Sequence, residues 1–82
     1  MSLIWITKAD YISEYKIEFT FNTGEKFLVD LEKYLDKGIF EELRNKDYFK
    51  NFKLNSWTIE WENGADFSPE FLYSLNKNKE FA

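Results

Sequence analysis

The chain has 82 residues and a formal net charge of −4, with neither cysteine nor histidine. An acidic balance argues against non-specific nucleic-acid binding, which needs a basic footprint. Without cysteine there are no disulfides, thiol nucleophiles or thiolate metal sites, and without histidine the usual general base and the commonest metal ligand are missing.

This length implies one domain over residues 1–82 with one modest core, ordered over about 3–75. The core is aromatic, with nine Phe, five Tyr and three Trp making up 21% of residues. Each buried ring removes about 150–250 Å² from water. So many rings in so small a chain cannot all be covered, so an exposed aromatic patch is expected, and such patches mark interfaces. The opening MSLIWITKAD lacks a basic region leading into a long apolar run, and no run reaches the ~20 residues of a membrane span. A cytoplasmic protein is expected, without membrane attachment.

Leu3 to Ala9 predicts a first strand, followed by a polar break over Asp10 to Glu14 that carries Tyr11. Lys16 to Phe21 is the clearest strand, with Ile17, Phe19 and Phe21 on one face and Lys16, Glu18 and Thr20 on the other. Asn22-Thr23-Gly24 forms a short hairpin loop in which Gly24 suits the left-handed position of a type I turn with a G1 bulge. Glu25 to Asp30 returns as the partner strand through Phe27 and Val29.

The period then changes. Leu31, Tyr34 and Leu35 are spaced as one helical turn, Gly38 interrupts, and Ile39, Phe40 and Leu43 form a second helical segment. Asn45 to Asn51 suits a further turn around Tyr48 and Phe49. Phe52 to Asn55 alternates again. A second hairpin through Asn55-Ser56, or one unbroken strand to Trp61, are the two readings of this stretch.

The sequence is organised around Ser56 to Tyr73. Trp57, Ile59 and Trp61 alternate with Thr58, Glu60 and Glu62, the period of a strand with an apolar and a polar face. Asn63-Gly64 ends that strand in a turn. Ser68-Pro69-Glu70 then opens a helix: Ser68 as N-cap, Pro69 at the first position and Glu70 against the positive end of the dipole. Phe71, Leu72 and Leu75 form its apolar stripe, and residues 76–82 form a polar, frayed end. The architecture predicted is α+β: a small antiparallel sheet of about four to five strands, a short helical excursion in the middle and a C-terminal helix.

These residues resemble a known family. Phe21-Asn22-Thr23-Gly24 with Phe27 and Asp30-Leu31, Phe40 with Leu43, Tyr48-Phe49, and the closing block Trp57–Trp61, Asn63-Gly64-Ala65-Asp66 and Pro69–Tyr73 are similar to the small bacterial family known as domain of unknown function 2442. The resemblance runs from about Trp5 to Tyr73. It implies similarity to the N-terminal domain of longer proteins that continue into a helix-turn-helix domain. No such segment follows Tyr73 here, so direct DNA binding is not expected. Stand-alone members of the family are often encoded next to a second small protein, and toxin–antitoxin pairing has been suggested for them. The family supplies no catalytic residues.

Carboxylates are the only plentiful reactive groups. Asp30, Asp66, Glu60 and Glu62 could in principle form an acid/base pair or a hard-metal site, but Glu60 and Glu62 sit on the solvated side of a strand. The serines have no histidine to activate them. No catalytic, metal-ligating or cofactor-binding residue is therefore assigned. Trp5, Trp57 and Trp61 could stack on bases, but that use needs a cationic groove, and core packing accounts for them better. The function expected is a non-enzymatic interaction domain, the antitoxin-like partner of a small protein or a partner of itself, with Tyr11, Trp61, Asp66 and Tyr73 as contact residues. The alternative is a small-molecule sensor with its pocket near Asp66 and Trp61.

Overall fold

The computed structural model describes residues 3–80, with side chains described as far as Leu75. Strands β1 (Ile6–Ser13), β2 (Lys16–Phe21) and β3 (Lys26–Asp30) form an antiparallel meander in the order β1-β2-β3. The alternation in β2 holds: Ile17, Phe19 and Phe21 are buried, while Lys16, Glu18 and Thr20 lie on the other face. Cross-strand pairs Phe19–Phe27 and Ile17–Val29 carry that face into β3.

The polar break expected over Asp10 to Glu14 is instead strand as far as Ser13. Ser13 pairs directly with Lys16, so Glu14 and Tyr15 alone form the turn. Glu14 has a φ of 48°, the positive value that two-residue hairpins of the II′ kind require at their first position. Register shifts at Thr7 and Ile12 let β1 bend around the core while its partner stays regular.

One three-residue loop occurs twice. At Phe21–Glu25 the Phe21 N–H donates to the Glu25 carbonyl (2.8 Å) and the Gly24 N–H to the Phe21 carbonyl (2.9 Å). At Trp61–Ala65 the Trp61 N–H donates to the Ala65 carbonyl and the Gly64 N–H to the Trp61 carbonyl, both 2.9 Å. Gly24 and Gly64 sit at φ 95° and 92°, a conformation that an L side chain adopts only under strain.

The middle excursion lies where expected but is built mainly of 3-10 turns, at Glu32–Tyr34 and Gly38–Arg44, followed by the single-turn α1 (Lys46–Phe49). Local side chains satisfy its open backbone groups. Asp30 Oδ1 accepts from the Glu32 N–H (3.0 Å), Asn45 Oδ1 caps α1 through the Asp47 and Tyr48 N–H groups, and Arg44 Nε donates to the Leu35 carbonyl (3.1 Å). Leu31, Leu35, Leu43 and Phe49 point inward and are fully buried.

Strands β4 (Lys53–Leu54) and β5 (Ile59–Glu60) pair as a second antiparallel sheet, so the hairpin reading holds and the unbroken strand does not. Asn55 decides this. Its Oδ1 accepts from both the Trp57 and Thr58 N–H groups at 2.7 Å, and its Nδ2 donates to Glu60 (2.6 Å). That side-chain turn shortens the strand and breaks the expected alternation. Trp57 is 41% exposed and Thr58 is buried, the reverse of the two faces predicted. The sheets are joined where the Ile6 N–H donates to the Trp57 carbonyl (2.9 Å).

Helix α2 (Pro69–Glu80) starts as predicted, with Ser68 Oγ accepting from the Phe71 N–H (3.1 Å). Leu72 is buried, with Phe71 and Leu75 packed at the core margin. The end expected to fray begins inside α2, whose backbone is helical to Glu80; the side chains of 76–80 and residues 81–82 lie outside the described residues.

Thr58 Oγ1 donates to the Phe67 carbonyl (2.7 Å) in the interior. Thr58→Val keeps the shape and strands that carbonyl, so it should cost about 1–3 kcal/mol. Urea unfolding should show the loss as a lower midpoint at unchanged slope; a neutral substitution would contradict the assignment.

Candidate functional site

The four contact residues expected from the sequence do not form one surface. Trp61 is 2% exposed and belongs to the core. Its Nε1–H donates to the Phe49 carbonyl (2.7 Å), and its ring packs against Phe49, Phe52 and Phe67 with centroids 5.6, 6.1 and 6.0 Å away. A side chain enclosed in this way cannot reach a partner, so the assignment of Trp61 as a contact is corrected.

Tyr73 packs α2 onto the sheet. Its ring meets Phe21 edge-on at 5.3 Å and lies 5.9 Å from Phe27, while its hydroxyl donates to Glu25. Tyr11 is half-buried at the far end of β1. Its ring meets Phe49 edge-on at 6.1 Å, Lys50 Nζ lies 5.7 Å from the ring, and its hydroxyl donates to the Glu14 carbonyl. Both tyrosines therefore have packing roles, at opposite ends of the meander.

Asp66 is exposed and lines an open groove of about 490 Å³. One wall is the helical excursion, through Lys33, Tyr34, Asp36, Lys37 and Phe40; the other is the lead into α2, through Asp66, Phe67, Ser68 and Phe71. Phe40 stacks on Phe67 at 4.9 Å, Phe67 on Phe71 at 5.8 Å, and Tyr34 meets Phe71 edge-on at 5.1 Å. Trp61 stands behind this floor, touching it through Phe67. Asn63 holds the walls together, because its Nδ2 donates to the Ile39 carbonyl (3.0 Å) and to Glu42 (2.7 Å). The Asn63-Gly64-Ala65-Asp66 block thus combines a structural clamp with one exposed carboxylate.

A second surface lies where the sheets join. Trp5 and Trp57 stack at 6.0 Å with an interplanar angle of 17°. Asn22 fixes the strand entry, accepting from the Trp5 N–H and donating to the Leu3 carbonyl (both 2.9 Å). Trp57 is 41% exposed, while Trp5, stacked on it, is half-buried; Leu3, two residues before Trp5, is 61% exposed. The sequence gives no local sign of this pairing, because Trp5 and Trp57 lie far apart in the chain.

Among the described residues, no three carboxylates converge as a metal site, and no helix is long and apolar enough to cross a membrane. Asp30 is used as a cap and Glu60 accepts from Asn55.

A three-stranded meander, a short second hairpin and a capped terminal helix around an aromatic core define a small α+β domain. The family described as "Protein of unknown function (DUF2442)" matches residues 6–78, and the chain belongs to that family. It matches no curated protein and no solved structure.

Beside Tyr11, Lys46 Nζ donates to Glu14 Oε1 at 2.7 Å. That hydrogen bond, with the ammonium charge, holds the Glu14 carboxyl below its ordinary value and raises Lys46 above its own. Glu14, depressed in the folded chain, contributes above the unfolded carboxylate value and loses that contribution as pH falls through the folded one. Lys46, raised, contributes below its unfolded value and loses it as pH rises through the folded one. The pair therefore stabilises between about pH 5 and about pH 10, and modestly, because both groups face water. Glu14→Gln should lower Tm slightly at neutral pH and low salt, and the difference should vanish in acid once Glu14 is protonated in the folded chain. A difference that persists in acid would contradict the pairing.

Proposed function

We propose that this chain is a non-enzymatic, cytoplasmic protein-interaction domain of bacterial origin, the antitoxin-like partner of a second small protein. The observation that carries the reading is the exposed Trp57 indole stacked on the half-buried Trp5. Indoles are enriched at the energetic centres of interfaces, and an exposed stack costs the free chain apolar hydration that a partner would remove. The net charge of −4 favours a basic partner through steered encounter. A second copy of the chain is the other occupant this surface could take.

A second reading, small-molecule sensing, is favoured by one observation: the groove at Asp66 has an aromatic floor and a volume within the usual range for small ligands. A ligand that binds only the folded chain raises its Tm.

Affinity capture from the native extract, with wild type and Trp57→Glu side by side, tests the first reading. Wild type should recover one small basic protein at equal stoichiometry, and Trp57→Glu should lose it while keeping a wild-type circular dichroism spectrum and Tm. Equal recovery by both chains would remove the indole surface as the contact. A monomeric wild type recovered alone would count against partner binding and shift weight to sensing.

A further inference from the structure

We propose that the groove between the helical excursion and the start of α2 binds a free, zwitterionic α-amino acid with an apolar or aromatic side chain. Asp66 takes its ammonium, Lys37 its carboxylate, and the Phe40–Phe67–Phe71 stack its side chain. The proposal rests on the sensing reading and names the ligand class for that same site.

The charges on the walls carry the argument. Two of the four charged groups are already engaged: Asp36 pairs with Arg44 at 3.5 Å, and Lys33 Nζ lies 5.4 Å from the Tyr34 ring. Among the described residues, Lys37 and Asp66 have no ion pair and no side-chain hydrogen bond, with each other or with any other group. They stand on different walls of one groove. A ligand that satisfies both must present a cation and an anion together. An amine alone would leave the Lys37 ammonium nearby, and an acid alone would leave the Asp66 carboxylate. An internal peptide residue carries neither charge, whereas a free amino acid carries both on one carbon.

The floor supplies the rest. Phe67 is 6% exposed, and Phe40 and Phe71 stack against it at 4.9 and 5.8 Å. Phe67 is covered by its two neighbours, and the half-buried Phe40 and Phe71 supply most of an apolar floor that favours an apolar or aromatic side chain over a polar one. The groove volume of about 490 Å³ is ample for such a molecule.

Calorimetric titration and thermal shift on the whole chain, with L-phenylalanine and L-leucine as probes, test the proposal. The controls are phenethylamine, phenylacetate and N-acetylphenylalanine amide. The two amino acids should bind and raise Tm, and each control should bind at least about tenfold more weakly, as loss of one charged contact implies. Asp66→Asn and Lys37→Met should each weaken phenylalanine binding to a similar degree. Lys53→Met, at an exposed position of β4 outside the groove lining, should leave it unchanged. Circular dichroism of each variant separates lost binding from lost folding.

Equal binding of phenethylamine or phenylacetate would overturn the zwitterion assignment and leave the sensing reading intact. So would a Tm rise with metabolites of other chemistry but none with amino acids. No Tm rise with the probes or with a broad metabolite panel at millimolar concentration would overturn both.

Discussion

Burial of the Trp61 indole is the constraint on which the rest of the structure depends. Its backbone closes the Glu62-Asn63-Gly64 loop, its Nε1–H holds the end of α1 through the Phe49 carbonyl, and its ring supports Phe67 beneath the groove. A buried indole N–H without a partner is costly, so α1 must end where its last carbonyls can accept that bond. The short helix, the hairpin loop and the lead into α2 are placed together by one side chain. Thr58 adds a second tie from the same hairpin to the Phe67 carbonyl.

The aromatic excess divides into two populations. Phe19, Phe21, Phe49 and Trp61 fill the interior, and Tyr73 and Tyr11 seal its margins with a ring inside and a hydroxyl bonded at the surface. Trp57, with Trp5 against it, stays outward, and Phe40, Phe67 and Phe71 floor an open groove. The two surfaces differ in kind. The indole stack is apolar and suits a flat macromolecular contact, whereas the groove has charges on both walls and suits a small ligand. Family membership is consistent with either use and assigns neither.

What could be read from the sequence was local. The β2–β3 hairpin followed from strict alternation and Gly24, and the start of α2 from Ser68-Pro69, because each depends on neighbours within a few positions. The turn at Asn63-Gly64 was legible for the same reason, though not the clamp that Asn63 makes to Ile39 and Glu42. Errors came where one side chain overrode a pattern. Asn55 bonds two backbone N–H groups and turns Trp57 outward and Thr58 inward, and a tight turn at Glu14 lets β1 run through residues that look like a break. Of the four candidate contacts, Asp66 lies in a groove, Tyr11 and Tyr73 are packing residues and Trp61 is core. Lys37, Phe40 and Trp57 were missed because their surroundings come from distant parts of the chain.

The central claim is that Trp61 is the structural hub and Trp57 an outward surface residue. Hydrogen exchange of the indole N–H groups, followed by NMR and assigned with single Trp→Phe variants, tests it most directly. The account predicts that the Trp61 N–H exchanges only through global unfolding, with an opening free energy close to that from urea denaturation, while the Trp57 N–H exchanges far faster. Comparable fast exchange at both indoles would contradict it, because Trp61 would then be neither buried nor held by the Phe49 carbonyl.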